Sequence, residues 1–412
     1  MISDHPSRLR SYLLLTAAGI ALGACARGSN VTVAGGPVPG SAVSIASLAK
    51  AAAPNPDPRV GLKAGMTDAG QATWNMRLLS NTPTPAQFAP GGETVNSDLG
   101  FLGKYAIQGN FNGWLFWDIS NPSHPTLRKG YLCPASQNDI SVYKNLLFMS
   151  AESNSSRLDC KGGGISEPVS NERIRGLRIF DISDLDNPKY ITNVQTCRGS
   201  HTHTAVVDPK DPDNVYIYVS GSSAVRPSQE LAGCTPALPD SDPNSTLFRI
   251  EVIKVPLAHP ERAAIVSSPR IFNDLNAPAH HGLAPGDIEE QRASLAKGKF
   301  PVTVLGINFE MESRDVQPLL DSAAKARHGG PPVNAADSAA VRAMLPDMIL
   351  KRFGMSAGAG RGPTQCHDIT VYPAVGYAGG ACEGYGMLLD IRDPAHPVRL
   401  AAASDSNFSY WH

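Results

Sequence analysis

The stretch Gly176-Leu-Arg-Ile-Phe-Asp-Ile-Ser183, followed shortly by Asn187-Pro188, reads as a β-strand that stops abruptly. Side chains alternate along a strand, so Leu177 and Ile179 share one face and Arg178, Phe180 and Ile182 the other. The Asp, Ser, Asn and Pro residues then turn the chain. The phrase recurs as Gly113-Trp-Leu-Phe-Trp-Asp118-Ile-Ser-Asn-Pro122 and as Gly386-Met-Leu-Leu-Asp390-Ile-Arg-Asp-Pro394. A worn copy, Leu247 to Pro256, lies between them. Recurrence of a whole phrase is the signature of a repeat architecture.

Further strand-like runs surround each copy. The first unit, from about Leu99, contains Lys104 to Gln108, Trp114 to Ile119 and Thr126 to Cys133. The second contains Asp139 to Tyr143, Leu146 to Ser150, the central phrase and Tyr190 to Cys197. The third contains Thr204 to Asp208, Val215 to Val219, Thr246 to Val255 and Ala263 to Phe272. The fourth contains Asp368 to Tyr372, Val375 to Gly379, Gly384 to Ile391 and Pro397 to Ala403. A four-stranded antiparallel unit cannot cover its own faces, and radial repetition covers them, so the chain is expected to be all-β, a β-propeller spanning 91–412. A β-sandwich of the same hairpins is the rival, and repetition of entire four-strand phrases argues against it. Residues 284–362 break the pattern and read as an insertion. Asp287 to Lys297, Asp315 to Arg327 and Ala335 to Phe353 are helical in pattern, with Pro346 expected to kink or divide the last. Pro301 to Phe309 reads as a strand. Ser406 to His412 resembles the opening of a further unit, so a closed four-bladed wheel and an open arc both fit.

The chain has 412 residues and a formal net charge of −1, a balance that argues against nucleic acid as a partner. Arg8 and Arg10 precede an apolar run, Tyr12 to Ala24, too short to span a bilayer, which is the layout of a signal peptide over 1–24. Its end, Leu22-Gly23-Ala24-Cys25, resembles the lipobox of bacterial lipoproteins and makes Cys25 the expected lipidation site. Residues 25–90 are rich in Ala, Gly, Pro and Ser and read as a tether. Six cysteines remain, an even number suited to disulfides in an exported chain. Neighbours along the chain would close loops within or between adjacent units, pairing Cys133 with Cys160, Cys197 with Cys234, and Cys366 with Cys382.

The three clear phrases resemble the repeat of the LVIVD-repeat proteins, exported bacterial β-propellers that are often lipid-anchored. That resemblance implies the fold and the location and leaves the activity open. A more distant similarity is to the selenium-binding and methanethiol oxidase propellers, and it implies histidines along a central channel and a metal.

Alignment of the opening strands places Asn138 before Asp139, His203 before Thr204, and His367 before Asp368, with His412 where a further strand would begin. Opening strands line the axis of a propeller. The expectation is therefore a ring of side chains at one depth, with His203, His367 and His412 converging on a divalent transition metal such as Zn²⁺, Cu²⁺, Fe²⁺ or Mn²⁺. His201 joins as a fourth ligand or a supporting partner. Asn138, His280 and His281 are expected to line the channel. Asp368 should point away from it, and Glu152, Glu310 and Glu383 are lesser candidates at its mouth. His124, His259 and His396 precede prolines and read as turn residues, and Asp118, Asp181 and Asp390 as turn acceptors. No Gly-x-Ser-x-Gly elbow and no phosphate-binding loop is present. Together these readings predict a lipid-anchored cell-envelope protein, facing the periplasm or the cell surface, that binds a small molecule or a protein. A metal-dependent oxidoreductase and a purely structural envelope component are the alternatives.

Overall fold

Among the described residues of the computed structural model, 52, 54–65, 68–90, 95–247, 249–276, 285–304, 307–327, 332–352, 363, 365–408 and 411–412, the strands form four four-stranded antiparallel sheets and one separate hairpin. The first sheet is β1 (Asn96–Leu102), β2 (Tyr105–Asn110), β3 (Gly113–Asp118) and β4 (Thr126–Leu132). The second is β5 (Ile140–Tyr143), β6 (Leu146–Ala151), β7 (Gly176–Asp181) and β8 (Lys189–Gln195). The third is β9 (His203–Val206), β10 (Asn214–Val219), β11 (Glu251–Pro256) and β12 (Ala264–Ser267). Each sheet is a meander in which hydrogen-bonded neighbours follow chain order.

The middle strands explain why the sheets stack as blades. Leu147 and Met149 on β6 pack toward the first blade against Ile107, Trp114 and Phe116. Leu146 and Phe148, on the opposite face of the same strand, pack with Val215, Ile217 and Val219 of the third. A half-buried sheet would alternate apolar with polar residues, whereas these strands are apolar on both faces because each is sandwiched between two neighbours. The recurring glycine of the repeat phrase has a local cause. A Cβ on Gly113 or Gly176 would lie 1.8 Å from the Tyr131 carbonyl oxygen or 2.1 Å from that of Val194, and both have positive φ. The aspartates that end the phrase accept from backbone N–H two residues on: Ser120 to Asp118 at 2.9 Å, Ser183 to Asp181 at 2.8 Å, and Arg392 to Asp390 at 3.0 Å.

The insertion contains α1 (Pro285–Ala296), the hairpin β13 (Lys299–Val304) and β14 (Ile307–Glu312), α2 (Ser313–Ala326) and α3 (Ala335–Arg352). It has its own core of Phe300, Val302, Val316, Val341 and Leu345. α3 runs unbroken through Pro346, correcting the expected division there. The missing N–H costs one helical bond, while buried Val341 and Leu345 hold the helix onto the hairpin. The fourth blade follows as β15 (Asp368–Tyr372), β16 (Tyr377–Cys382), β17 (Tyr385–Asp390) and β18 (Val398–Ala403). It packs Ile369, Ala378, Met387 and Leu389 against Tyr216, Tyr218 and Val252 of the third blade.

Three details differ from the sequence reading. The first blade opens with β1, a strand earlier than Lys104 to Gln108. The worn copy is strand only from Glu251, not from Thr246. The segment taken as tether to residue 90 ends inside the fold: Phe88 is completely buried against Ala106, Leu115 and Trp117, over Gly130, whose Cβ would lie 2.5 Å from its ring. Cysteine pairing is Cys133–Cys160, Cys197–Cys234 and Cys366–Cys382, as chain order suggested. Three disulfides belong to an oxidising environment. No helix among the described residues is long and apolar enough to cross a membrane. Cys25 lies outside the described residues.

Phe88 fills a site that only its own ring occupies. Phe88→Ala is expected to destabilise the protein by about 3 kcal/mol, the usual range for emptying a buried aromatic site, as read by urea unfolding. A loss near zero would show that this segment is not part of the cooperative fold.

Candidate metal centre

Four inner strands meet about the axis: β1 packs beside β5, β5 beside β9, and β9 beside β15. A cavity of about 340 Å³ opens there, and its polar lining includes Asp98, Asp139, Thr204, Asp368 and His412.

Two imidazoles face each other beside it. The Nε2 atoms of His201 and His367 are 3.1 Å apart. Behind each ring stands a carboxylate: Glu152 Oε2 lies 2.8 Å from His201 Nδ1, and Asp368 Oδ2 lies 2.7 Å from His367 Nδ1. An ionised carboxylate only accepts hydrogen bonds, so each Nδ1 carries the proton and each Nε2 presents a lone pair. At 3.1 Å, with the rings edge to face, the two Nε2 atoms need a proton or a metal ion between them. Two nitrogens on one tetrahedral ion at ordinary bond lengths sit about 3.3 Å apart, so the spacing suits a shared cation. A carboxylate behind a ligating histidine is the usual means of fixing its ring and raising its basicity. Gln137 Nε2 lies 2.8 Å from His201 Nε2 and would have to give way to an ion bound there.

His412 completes the group. Its ring centroid is 4.3 Å from that of His367, and its Nδ1 is 3.6 Å from Asp368 Oδ2. One ligand atom each from His367, Asp368 and His412 fall within 4.8 Å of one another, a spacing able to hold a metal ion. The expectation that Asp368 points away is thereby corrected: it opens β15 in register with Ala381, and its carboxylate lies against two imidazoles.

His203 stands apart from this group. It is buried, with Ser141 Oγ 2.7 Å from Nε2 and both Ser150 Oγ, at 2.9 Å, and Asp139 Oδ2, at 3.0 Å, on Nδ1. Both ring nitrogens are thus engaged within the protein, which corrects its expected place among the ligands. Asn138 is corrected too. It is fully buried in the left-handed conformation and donates to the carbonyls of Asn110, at 2.7 Å, and Cys133, at 3.1 Å, so it staples two blades and does not line the channel. His280 and His281 lie outside the described residues. His124, His259 and His396 are exposed turn residues, with His259 on Glu261 and His396 on Asp393.

Neighbouring charges shift the proton affinities of these groups. Burial disfavours the His201 imidazolium, but the hydrogen bond and charge of Glu152 outweigh it and hold the pKa above the usual histidine value. Burial likewise opposes ionisation of Glu152, and His201 reverses that, keeping the carboxyl below its usual range. Asp98 goes the other way. Burial, then the neighbouring Asp139 and Asp368 carboxylates, push it up to about 6. The sequence reading passed over Asp98, Asp139 and Gln137. The repeated phrase Asp139-Ile-Ser-Val-Tyr143 and Asp368-Ile-Thr-Val-Tyr372 carried a signal for the aspartates, since the same acid opens the same strand twice.

The fold and this centre define a β-propeller with a histidine- and carboxylate-lined axis. Residues 96–133, which span the first blade, match the family described as LVIVD repeat. No curated protein sequence matches the chain. Among solved structures, a hypothetical selenium-binding protein from Sulfolobus tokodaii aligns at 12% identity and TM-score 0.30 over 74% of this chain and 59% of that one. Saccharomyces cerevisiae Sqt1 aligns at 6% identity and TM-score 0.27 over 74% of this chain and 61% of its own. The chain therefore spans about three-fifths of the length of either structure.

The raised Asp98 has a consequence for stability. A carboxyl whose pKa is higher in the fold than in the unfolded chain stabilises the fold when protonated; that contribution shrinks as pH rises from the ordinary carboxyl value toward 6 and is gone above it. Asp98 stays open to the cavity, so solvent screens part of the effect. Asp98→Asn is expected to make the protein more stable than wild type at pH 8 and to flatten its stability profile between pH 4 and 7, in urea unfolding across that range. An unchanged profile would remove Asp98 from the account.

Proposed function

We propose that this protein is exported and lipid-anchored through Cys25 to the bacterial cell envelope, and that its axis binds a divalent transition metal through His201, His367 and His412. Glu152 and Asp368 orient the first two rings. The observation that carries the reading is the opposed pair of Nε2 atoms with a carboxylate behind each imidazole. Three imidazole donors suit Zn²⁺, Cu²⁺, Fe²⁺ or Mn²⁺ and leave a coordination position for an outside group. The metal-bearing cavity then serves as a binding site for a small molecule or a protein side chain. The membrane is the second partner through the lipid, and the near-zero net charge gives no basis for a nucleic-acid partner.

A metal-dependent oxidoreductase is the second reading. His412 is exposed and lines the 340 Å³ cavity, so a small substrate would have room beside the ligands. A redox-active metal would supply electron transfer there, while the protein would hold the imidazoles in their δ-protonated forms.

Elemental analysis of protein purified from the envelope tests the centre. About one transition-metal ion per chain is expected, with His201→Ala and His367→Ala each lowering metal affinity by at least ~100-fold and Glu152→Gln by ~10-fold or more. Metal-free wild type, or full occupancy in both histidine variants, would overturn the assignment. For the anchor, Cys25→Ala should move the protein from the membrane fraction to the soluble periplasmic or secreted fraction.

A further inference from the structure

The second and third blades bury apolar residues on both faces, and the fourth does so on one. Strand register fixes what lies on its other face. Thr370, Gly379, Leu388 and Ala401 pair directly across β15, β16, β17 and β18, so they share one side of the sheet. Tyr372, Tyr377, Asp390 and Val398 form the next row on that side. The opposite side carries Ile369, Ala378, Met387 and Leu389, which pack on the third blade.

The repeat shows what such a face meets elsewhere in the molecule. Leu388 stands two residues before the aspartate that ends its phrase, as Phe116 does before Asp118 and Ile179 before Asp181. Phe116 and Ile179 are completely buried, each against the following blade. Leu388 is 43% exposed. Its cross-strand partner Gly379 takes the place of Ile107 and Phe148, the buried partners of Phe116 and Ile179. A Cβ on Gly379 would meet nothing within 4 Å, and Tyr372, Tyr377, Val398 and Leu400 are exposed around it. The chemistry that suits this face is therefore a second apolar sheet, as in every blade contact of the stack. We propose that the fourth blade packs face to face on the fourth blade of a second copy of this chain, forming a two-fold symmetric dimer.

Three observations favour that occupant. The first is that the other end of the stack is already partly capped: Phe88 is sealed over Ala106, Leu115 and Trp117 on the free face of the first blade. A head-to-tail contact would have to accommodate that segment, whereas a contact between two fourth blades does not. The second is charge. In a two-fold interface the same patch meets itself, so an unpaired charge near the axis would repel its own copy. Thr370, Gly379, Leu388 and Ala401 carry none, and Asp390, the acid of the neighbouring row, is held by Arg392 Nε at 3.0 Å from Oδ1. Bare Gly379 beside Leu388 leaves a hollow next to a projection, which lets a face fit its own copy. The third is area. Strands β16, β17 and β18 are six residues long. At about 3.3 Å per residue and about 4.8 Å between strands, the face measures roughly 20 by 19 Å. Two such faces bury about 1,000 Å² in total, at the lower bound for a specific interface. Trp411 lies over Gly386 on the same side, so the interface ends beside the segment that carries His412.

Native mass spectrometry of the full-length protein, released from detergent at ~20 µM, tests this, since an interface near the lower size bound calls for micromolar protein. The dimer is expected as the main species for wild type. Leu388→Arg and Val398→Arg place a charge on the face at exposed positions, and each is expected to give monomer with unchanged circular dichroism. Phe101→Asp, on the first blade, is expected to leave the dimer intact. Should one arginine variant fail to fold, the other decides. Monomeric wild type, or a dimer that survives both arginine variants, would overturn the proposal. Loss of the dimer in Phe101→Asp would overturn it as well, and would assign the contact to a head-to-tail pairing of first and fourth blades.

Discussion

The packing of blade on blade depends on a second sheet that is apolar on both faces. Leu146, Leu147, Phe148 and Met149 are consecutive and all buried, two facing the first blade and two the third. An isolated meander of that composition would expose one greasy face to water, at roughly 25 cal/mol per Å². Stacking blade against blade removes that exposure, and because sheets twist with a fixed hand the stack curves about an axis. The curvature is what brings β1, β5, β9 and β15 together, although their first residues span from position 96 to 368 in the chain.

The axis is where this apolar construction gives way to polar chemistry. Inner strands have one edge without a ladder partner, so side chains and backbone groups at their openings must find partners elsewhere. Here they find each other. Asp139 holds His203 across one blade boundary, Thr202 Oγ1 and Ser220 Oγ donate to the carbonyls of His367 and Cys366 across another, and His201 meets His367 edge to face. Imidazoles and carboxylates confined in this way have altered proton affinities, as Asp98 and Glu152 show in opposite directions. Two histidines separated by a single residue consequently serve in different surroundings. His201 looks along the axis to His367, and His203 is buried between blades among hydroxyls.

Much of this was legible in the residues. The thrice-repeated phrase specified strands, turns and blade architecture, because alternation and turn chemistry are local properties. Cysteine pairing followed chain order, since each bridge closes a loop within one blade or between neighbours. The polar column His203, His367, His412 was legible as a column but not as a set of ligands. Alignment gives the position of a residue along its strand and not the direction of its ring, which is set by whichever acceptor lies nearest. Asp139 took His203, Asp368 took His367 and stayed in the group, and Asn138 turned inward to cap two carbonyls. Phe88 was hidden by its setting in a stretch of Ala, Pro and Gln that carries no periodicity.

The sequence by itself determined the repeated antiparallel blades, their turns, the helical insertion and the polar character of the strand openings, all of which arise from interactions between residues near in the chain. Only the tertiary structure decided which imidazoles face one another. Those contacts join residues 166 positions apart for His201 and His367, and 62 for Ser141 and His203, across boundaries set by the packing of whole sheets. A local pattern carries no record of that distance, whereas the stacked blades hold each pair within hydrogen-bond reach.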